Sequence, residues 1–189
     1  ARPHVALRPA DARLGRAARL QPLRAVDAPD APPHLRTHDA GADALALAGE
    51  IASERGMEDL VTVLPGANFV NSFATFSGYL DVSDTKKTFY WFVTARDASK
   101  AKDKPVVMWT NGGPGCSGLG GFISEMGPFV PHADGTLGRR DYAWNKLANM
   151  LFIEQPAGVG FSTGAMDYYD DGMVARDNAN FVARWRQRV

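Results

Sequence analysis

Residues 109–121 read Trp-Thr-Asn-Gly-Gly-Pro-Gly-Cys-Ser-Gly-Leu-Gly-Gly, and they continue a short apolar run that begins at Val106. A continuous apolar run of this length predicts a strand that is covered on both faces of a sheet. The glycines after it, followed by residues 122–126, indicate a loop that enters a short helix. Such a unit presents backbone N–H groups at the carboxyl edge of a sheet, where glycine lets the main chain approach a reacting carbonyl. We therefore predict a pocket that can stabilise an oxyanion.

A phosphate-binding loop and a plain turn are the alternative interpretations of this segment. A Walker-type loop requires a lysine beside its last glycine, and no lysine occurs between Lys104 and Lys146. Gly113-Pro114-Gly115 and Gly118 fit the dinucleotide pattern G-x-G-x-x-G formally. However, the proline removes one N–H, and no acidic residue ends a second strand about 20 residues further on. The sequence therefore disfavours a nucleotide site.

The segments on either side of this unit predict the remaining strands. Residues 73–82 and 88–93 are rich in β-branched and aromatic side chains and flank the polar turn 85–87, which predicts an antiparallel hairpin. The apolar run 149–154 predicts a second central strand, which stops at the following Gln-Pro pair. Residues 59–64 are also β-rich.

The last segment of the sequence, residues 171–189, predicts a helix. Its apolar residues fall close to one helical stripe, and its arginines crowd the C-terminal end, where cations suit the helix dipole. The stripe consists of Val174, Phe181, Val182, Trp185 and Val189.

Composition excludes several classes of protein. The 21 Lys and Arg residues balance 21 Asp and Glu residues, so no overall basic excess attracts nucleic acid or an anionic membrane. No run approaches the roughly 18 consecutive apolar residues of a membrane-spanning helix. The single cysteine, Cys116, excludes an internal disulfide and a multi-thiolate metal site. We expect neither a metal ion nor a cofactor.

Residues 1–57 predict a separate arm, rich in Ala, Arg and Pro. Residues 1–26 contain six arginines and one acidic residue, and no aromatic residue precedes Phe69. A segment of this composition cannot build a core of its own. The composition is compatible with three interpretations, which are a disordered segment or pro-segment, a targeting remnant and a basic binding arm. Residues 42–54 could form a short helix.

The glycine segment Asn111-Gly112-Gly113-Pro114-Gly115-Cys116-Ser117 strongly resembles the corresponding motif of the serine carboxypeptidase family, α/β-hydrolases that remove C-terminal residues from peptides. Further matches follow in the family's order and spacing over residues 58–189. They are Leu64-Pro65-Gly66, Ser77-Gly78-Tyr79, Phe89-Tyr90-Trp91, Glu125-Met126-Gly127-Pro128-Phe129, Trp144-Asn145-Lys146 with Ala148-Asn149, and Gln155-Pro156-Ala157-Gly158-Val159-Gly160-Phe161-Ser162. The resemblance implies an α/β chain with an incomplete α/β-hydrolase fold. An N-terminal hairpin, central strands and flanking helices would form the domain at 58–189, after the disordered or irregular arm at 1–57.

The resemblance also implies roles for individual residues. Asn111 would bind the C-terminal carboxylate of the substrate, together with Glu125, whose carboxyl would belong to a network that keeps its proton under acidic conditions. The alternative for Glu125 is a solvated glutamate on a helix. The backbone N–H of Gly113 would be one oxyanion donor, and Gly112 would line the pocket. Cys116 would form a disulfide with a cysteine far downstream.

The family's catalytic serine lies in a Gly-Glu-Ser-Tyr-Ala-Gly elbow, and its aspartate and histidine come later. The resemblance places this elbow after the helix predicted at 171–189, so we expect none of the triad and no second oxyanion donor within the 189 residues. Gly118 stands where the family usually has a second serine. Because the remaining strands and helices of the fold would also be absent, the apolar stripe of the helix needs another surface. We expect a marginally stable chain with an exposed apolar patch and an unpaired sheet edge.

Residues 160–164 match the nucleophile pattern G-x-S-x-G, with Ser162 at its centre. The pattern requires a strand that ends at the first glycine and a helix that starts after the serine, and it requires the histidine to come last. Residues 155–159 separate Gly160 from the strand, and all four histidines precede Ser162. We therefore predict that Ser162 lines the substrate pocket and is not the nucleophile.

The resemblance implies a serine-type carboxypeptidase, with this chain supplying the oxyanion- and carboxylate-binding half of the site and inactive by itself. The alternatives are an inactive peptide-binding protein and a fragment of a related acyltransferase. Its partners would be peptide or protein C-termini, and the remaining C-terminal portion as a second chain, but neither nucleic acid nor a membrane. The family implies a vacuole, a lysosome or secretion.

Overall fold

The computed structural model describes residues 40–164 and 169–189. They form a four-stranded sheet, a separate two-stranded hairpin and helices on both faces of the sheet. The strands are β1 (Thr75–Asp81), β2 (Lys87–Val93), β3 (Val106–Thr110), β4 (Phe129–Pro131), β5 (Leu137–Arg139) and β6 (Asn149–Ile153). The helices are α1 (Ala42–Ile51), α2 (Glu54–Met57), α3 (Gly118–Gly120), which continues into a π-helical turn (Gly121–Glu125), and α4 (Asp171–Trp185). Short 3₁₀ turns lie at Ala98–Asp103 and Trp144–Lys146.

The four-stranded sheet has the order β1-β2-β6-β3. β1 and β2 pair antiparallel from Thr75 with Val93 to Asp81 with Lys87, which confirms the predicted hairpin. β2 pairs antiparallel with β6, and β6 pairs in parallel with β3. Of the two strands predicted to be central, β6 lies inside the sheet and β3 lies at its edge, and the glycine segment leaves the sheet at the carboxyl end of β3.

One face of the sheet packs against α1 and α4. Tyr90 and Phe92 of β2 contact Phe181 and Trp185 of α4, with ring centroids 5.9 Å and 4.9 Å apart. Phe181 is fully buried and Trp185 is 6% exposed. The prediction that this helix face needs another surface is therefore wrong for Phe181 and Trp185, because the hairpin supplies enough aromatic surface to cover them.

The opposite face packs against the π-helical turn and the β4–β5 hairpin. Phe122 of that turn contacts Trp91, Phe129 and Phe152, with ring centroids 5.1 to 5.9 Å apart. Aromatic pairs in this distance range add to the stability that burial provides. The short helix predicted at residues 122–126 is thus present, and it holds the end of the glycine segment against β6.

β3 is an edge strand, and the prediction that it is covered on both faces is wrong. Among the described residues it pairs with β6 alone. Val106 and Met108 are 46% and 40% exposed. They line an apolar groove of about 510 Å³ that also includes Val182 and Trp185 of α4. The groove exists because α4 covers β1, β2 and β6 but leaves this side of β3 open. The predicted apolar patch and open edge are therefore both present.

The part of the predicted arm that the structure describes, residues 40–57, is packed rather than irregular. Leu47 and Ala48 of α1 are buried in the same core cluster as Phe76 and Phe181. Residues 59–64 form no regular strand but run beside β1, where Val61 N–H donates to the Thr75 carbonyl over 2.8 Å. The remaining predictions for the arm fall on residues 1–39, which lie outside the described part. None of the described helices is long and apolar enough to cross a membrane.

Candidate active site

Asn111 is the first residue after β3, and the indole of Trp109 fixes its side chain. The Trp109 Nε1–H donates to Asn111 Oδ1 over 2.8 Å. The helix that follows approaches this pair so closely that a Cβ on Gly121 would overlap the Trp109 indole nitrogen and lie 3.1 Å from Asn111 Oδ1. Because Oδ1 is engaged by a donor, the amide must present its Nδ2–H₂ group elsewhere. The side chain is therefore oriented as a hydrogen-bond donor, which suits an anionic ligand.

Gly113 gives the loop its shape and an available N–H group. Its φ is +134°, in the region that favours glycine, and a Cβ there would lie 3.0 Å from Cys116 Sγ. Cys116 N–H donates to the Gly112 carbonyl over 3.2 Å and closes the turn. Within the part of the chain that the structure describes, the N–H of Gly113 has no backbone or side-chain acceptor. A main-chain donor at the carboxyl edge of the sheet is the chemistry that an oxyanion requires.

Cys116 and Glu125 both lie at the surface. Cys116 is a free, exposed cysteine. Glu125 ends the π-helical turn and is exposed, and its carboxylate makes no hydrogen bond or ion pair with the residues described. Among the described residues, no carboxyl lies beside Glu125 as its predicted partner and no thiol beside Cys116, so both roles stay predictions.

Ser162 is buried, and its hydroxyl forms hydrogen bonds with two backbone groups. The Oγ donates to the Glu154 carbonyl over 2.5 Å and accepts from the Phe89 N–H over 2.8 Å. The side chain is only 5% exposed. His132 is the single histidine among the described residues, and it lies exposed on the β4–β5 hairpin. Ser162 therefore joins β2 to the loop after β6. That it lines the substrate pocket and is not the nucleophile stays a prediction.

Glu154 is the residue that the sequence analysis missed. It follows β6 directly and is 1% exposed. Its Oε1 accepts a short hydrogen bond from Ser117 Oγ, and its Oε2 accepts one from the Phe161 N–H. The signal available in the sequence is a charged residue that directly follows the four apolar residues 150–153 of β6.

Burial and the charge of Glu154 together raise the pKa of the nearby Tyr79 above its ordinary value of 10.0, burial being the larger cause. Across residues 40–164 and 169–189, no group of three or more His, Cys, Asp or Glu side chains is arranged to hold a metal ion.

Comparison with known proteins gives a consistent result. The family model of the serine carboxypeptidases matches residues 65–189. The chain is 50% identical to the lysosomal protective protein of Mus musculus over 122 residues, covering 64% of this chain and 24% of that protein. It is 45% identical to serine carboxypeptidase-like 40 of Arabidopsis thaliana over 148 residues, covering 72% of this chain and 29% of that protein.

A solved structure is also similar. The prohormone-processing carboxypeptidase Kex1(delta)p of Saccharomyces cerevisiae superposes with a TM-score of 0.51 and 28% identity. The match covers 60% of this chain and 27% of that one. The chain thus spans between 24% and 29% of the length of these two curated relatives.

Proposed function

The chain belongs to the serine carboxypeptidase family, and we propose that it supplies the carboxylate- and oxyanion-binding half of a serine carboxypeptidase site. The observation that carries this proposal is the orientation of Asn111. With Oδ1 held by Trp109, its amide offers two N–H donors to an anion, and no fixed positive charge accompanies them. The C-terminal carboxylate of a peptide fits such a donor set.

The N–H of Gly113 would stabilise the oxyanion. In acyl transfer, negative charge develops on the carbonyl oxygen, and a pre-oriented backbone donor stabilises it without reorganisation. Gly112 would form the wall between this donor and Asn111. The loss of one such donor typically costs about 2.7–4 kcal/mol of transition-state stabilisation.

The nucleophile, base and orienting acid would come from residues outside this chain, which would make the chain inactive by itself. The support for this comes from the surroundings of the described serine and histidine that could have served as catalytic residues. Ser162 fits the nucleophile pattern, but its hydroxyl is buried between two backbone groups, and His132 is exposed on a separate hairpin. In the whole protein, a serine would attack the terminal peptide carbonyl while a histidine accepts its proton and an aspartate orients that histidine.

Two surface residues would act only when that second portion is present. Glu125 would share a proton with another carboxyl near the substrate carboxylate, since carboxyls forced together raise one another's pKa. Cys116 would form a disulfide with a cysteine of the other portion. The substrates would be peptide or protein C-termini. By analogy with the relative named for the lysosome, the protein would act in a lysosome or vacuole or after secretion.

The proposal is tested by NMR titration of the chain with N-acetyl-L-phenylalanine and with its C-terminal amide. We expect the acid to shift the Trp109 indole, the Asn111 side-chain amide and the Gly113 N–H, and we expect the amide to shift none of them. Asn111→Ala should abolish the binding. Asn180→Ala, which removes an amide on α4 that donates to the Val82 carbonyl, should leave the binding intact.

Equal binding of acid and amide, or unchanged binding after Asn111→Ala, would refute the proposal. Carboxylate binding in a whole protein that turns over no peptide would instead favour an inactive peptide-binding protein.

A further inference from the structure

We propose that Glu154 is a positioning residue, which acts through Ser117 to hold the glycine loop in its binding conformation. The inference deepens the proposed function and rests on it for its consequence for ligand binding. Glu154 would touch neither the substrate carboxylate nor the reacting carbonyl.

The environment of Glu154 shows that its carboxylate is held by specific donors. The side chain is 1% exposed, and no described residue forms an ion pair with it. A buried charge without a countercharge is unfavourable unless hydrogen bonds satisfy it. Ser117 Oγ and the Phe161 N–H provide those bonds, one to each oxygen. Hydrogen bonds to a charged group are stronger than those between neutral groups, so both donors are strongly fixed.

Ser117 carries this constraint into the glycine loop. Its Oγ donates to Glu154 and accepts from the Leu119 N–H over 3.2 Å, so it caps the short helix α3. Its carbonyl accepts from the Gly120 N–H over 3.0 Å. Because Ser117 directly follows Cys116, which closes the turn at Gly112, a shift of Ser117 would move the backbone around Gly113 as well.

The loop after β6 is shaped to enclose the same carboxylate. A Cβ on Gly160 would overlap both carboxylate oxygens, and the φ of Gly160 is +54°, in the glycine-favouring region. The hydroxyl of Ser162 holds the Glu154 carbonyl. The carboxylate is therefore clamped between the glycine loop on one side and residues 160–162 on the other. Residues 160–162 and the loop that carries the donors thus share one anchor.

The test is amide hydrogen exchange by NMR on the 189-residue chain. The variants are Glu154→Gln, Ser117→Ala, the double variant, and Asp59→Asn as a control. Asp59 also accepts hydrogen bonds through a half-buried carboxylate, but its partners are Tyr90 and Arg188 on the opposite side of the sheet. Global stability is measured in parallel by urea unfolding.

We expect Glu154→Gln to speed exchange at the Cys116 and Gly120 amides by about tenfold to a hundredfold, the change that losing a bond to a charged group produces. Glu154 bonds to neither amide, so this effect must pass through Ser117. Ser117→Ala should give the same increase, and the double variant should add little to either single change. The control should leave both amides unchanged.

A merely structural role would raise exchange across the core strands as much as in the loop, and that result overturns the proposal. Unchanged loop exchange overturns it as well. If Glu154→Gln does not fold, the exchange rates in Ser117→Ala test the proposal instead. Unchanged exchange of the loop amides in that variant would also overturn it. Binding of N-acetyl-L-phenylalanine should weaken about tenfold in Glu154→Gln. Absence of binding in the unaltered chain would remove the proposed function, while the exchange rates would still decide the role of Glu154.

Discussion

Replacement of Ser162 by alanine distinguishes a structural serine from a nucleophile. The substitution removes a hydroxyl that donates to the Glu154 carbonyl over 2.5 Å and accepts from the Phe89 N–H over 2.8 Å. Both backbone groups lose their partner at a position where the serine is 5% exposed. An unsatisfied buried polar group costs about 1–3 kcal/mol, so we expect a loss of about 2–4 kcal/mol in the free energy of unfolding.

The assay is urea unfolding followed by tryptophan fluorescence, with the free energy taken by linear extrapolation. Ser99→Ala is the matched control, because its hydroxyl bonds only to Asp97 in an exposed loop, and it should change stability by less than about 0.5 kcal/mol. Ser162→Cys should fall between the two, since a thiol of similar size donates and accepts only weakly. A loss below about 1 kcal/mol for Ser162→Ala would refute the reasoning, because the two backbone groups would then not depend on this hydroxyl.

The other predictions concern the core, the pH dependence and the open edge. Phe181→Ala should lower the free energy of unfolding by about 3–5 kcal/mol, and Val182→Ala by clearly less; equal small losses would show that α4 does not pack on its own sheet. Burial raises the pKa of Asp59 above its ordinary value of 3.8, so its charged form weakens the fold. The stability of the unaltered chain relative to Asp59→Asn should therefore decrease as the pH rises upward from 3.8. Urea unfolding between about pH 3 and pH 7 measures this difference, and an increase with pH would contradict the assignment. The exposed edge strand β3 should make the chain self-associate, and lysine at both Val106 and Met108 should reduce this association in sedimentation velocity without lowering the thermal midpoint; a monomeric unaltered chain, or unchanged association in the variant, would contradict this prediction.

Local sequence patterns were sufficient to predict most of the elements. The hairpin of β1 and β2, the strand β6 and the helix α4 each follow from a period or a composition that neighbouring residues carry. The glycine loop was predicted for the same reason, because glycine reports backbone conformation directly, and Gly113 indeed adopts a positive φ.

Burial could not be predicted in the same way, because it depends on what covers an element. The apolar run of β3 suggested two covered faces, yet Val106 and Met108 are exposed, since α4 lies over the neighbouring strands. Conversely, Phe181 is buried against the aromatic side chains of the β1–β2 hairpin, and the sequence of α4 alone does not reveal this contact. The packing of α1 was missed for a similar reason. An alanine-rich helix carries a weak apolar stripe, and Leu47 and Ala48 become core residues only through contact with the sheet.

Glu154 shows the corresponding limit for the site. Its donors are 37 and 7 residues away along the chain, at Ser117 and Phe161. No spacing rule links these three positions, so only the folded chain brings the glycine loop, the end of β6 and the following turn together.

We propose that this chain binds a peptide's carboxylate and reacting carbonyl while the attacking hydroxyl comes from elsewhere. Its most direct test is amino acid release, measured by mass spectrometry, when the purified chain is incubated with an N-acylated dipeptide. We expect no release and no labelling of the chain by a serine-directed fluorophosphonate. Release of the C-terminal residue by the chain alone, abolished by Ser162→Ala, would contradict it.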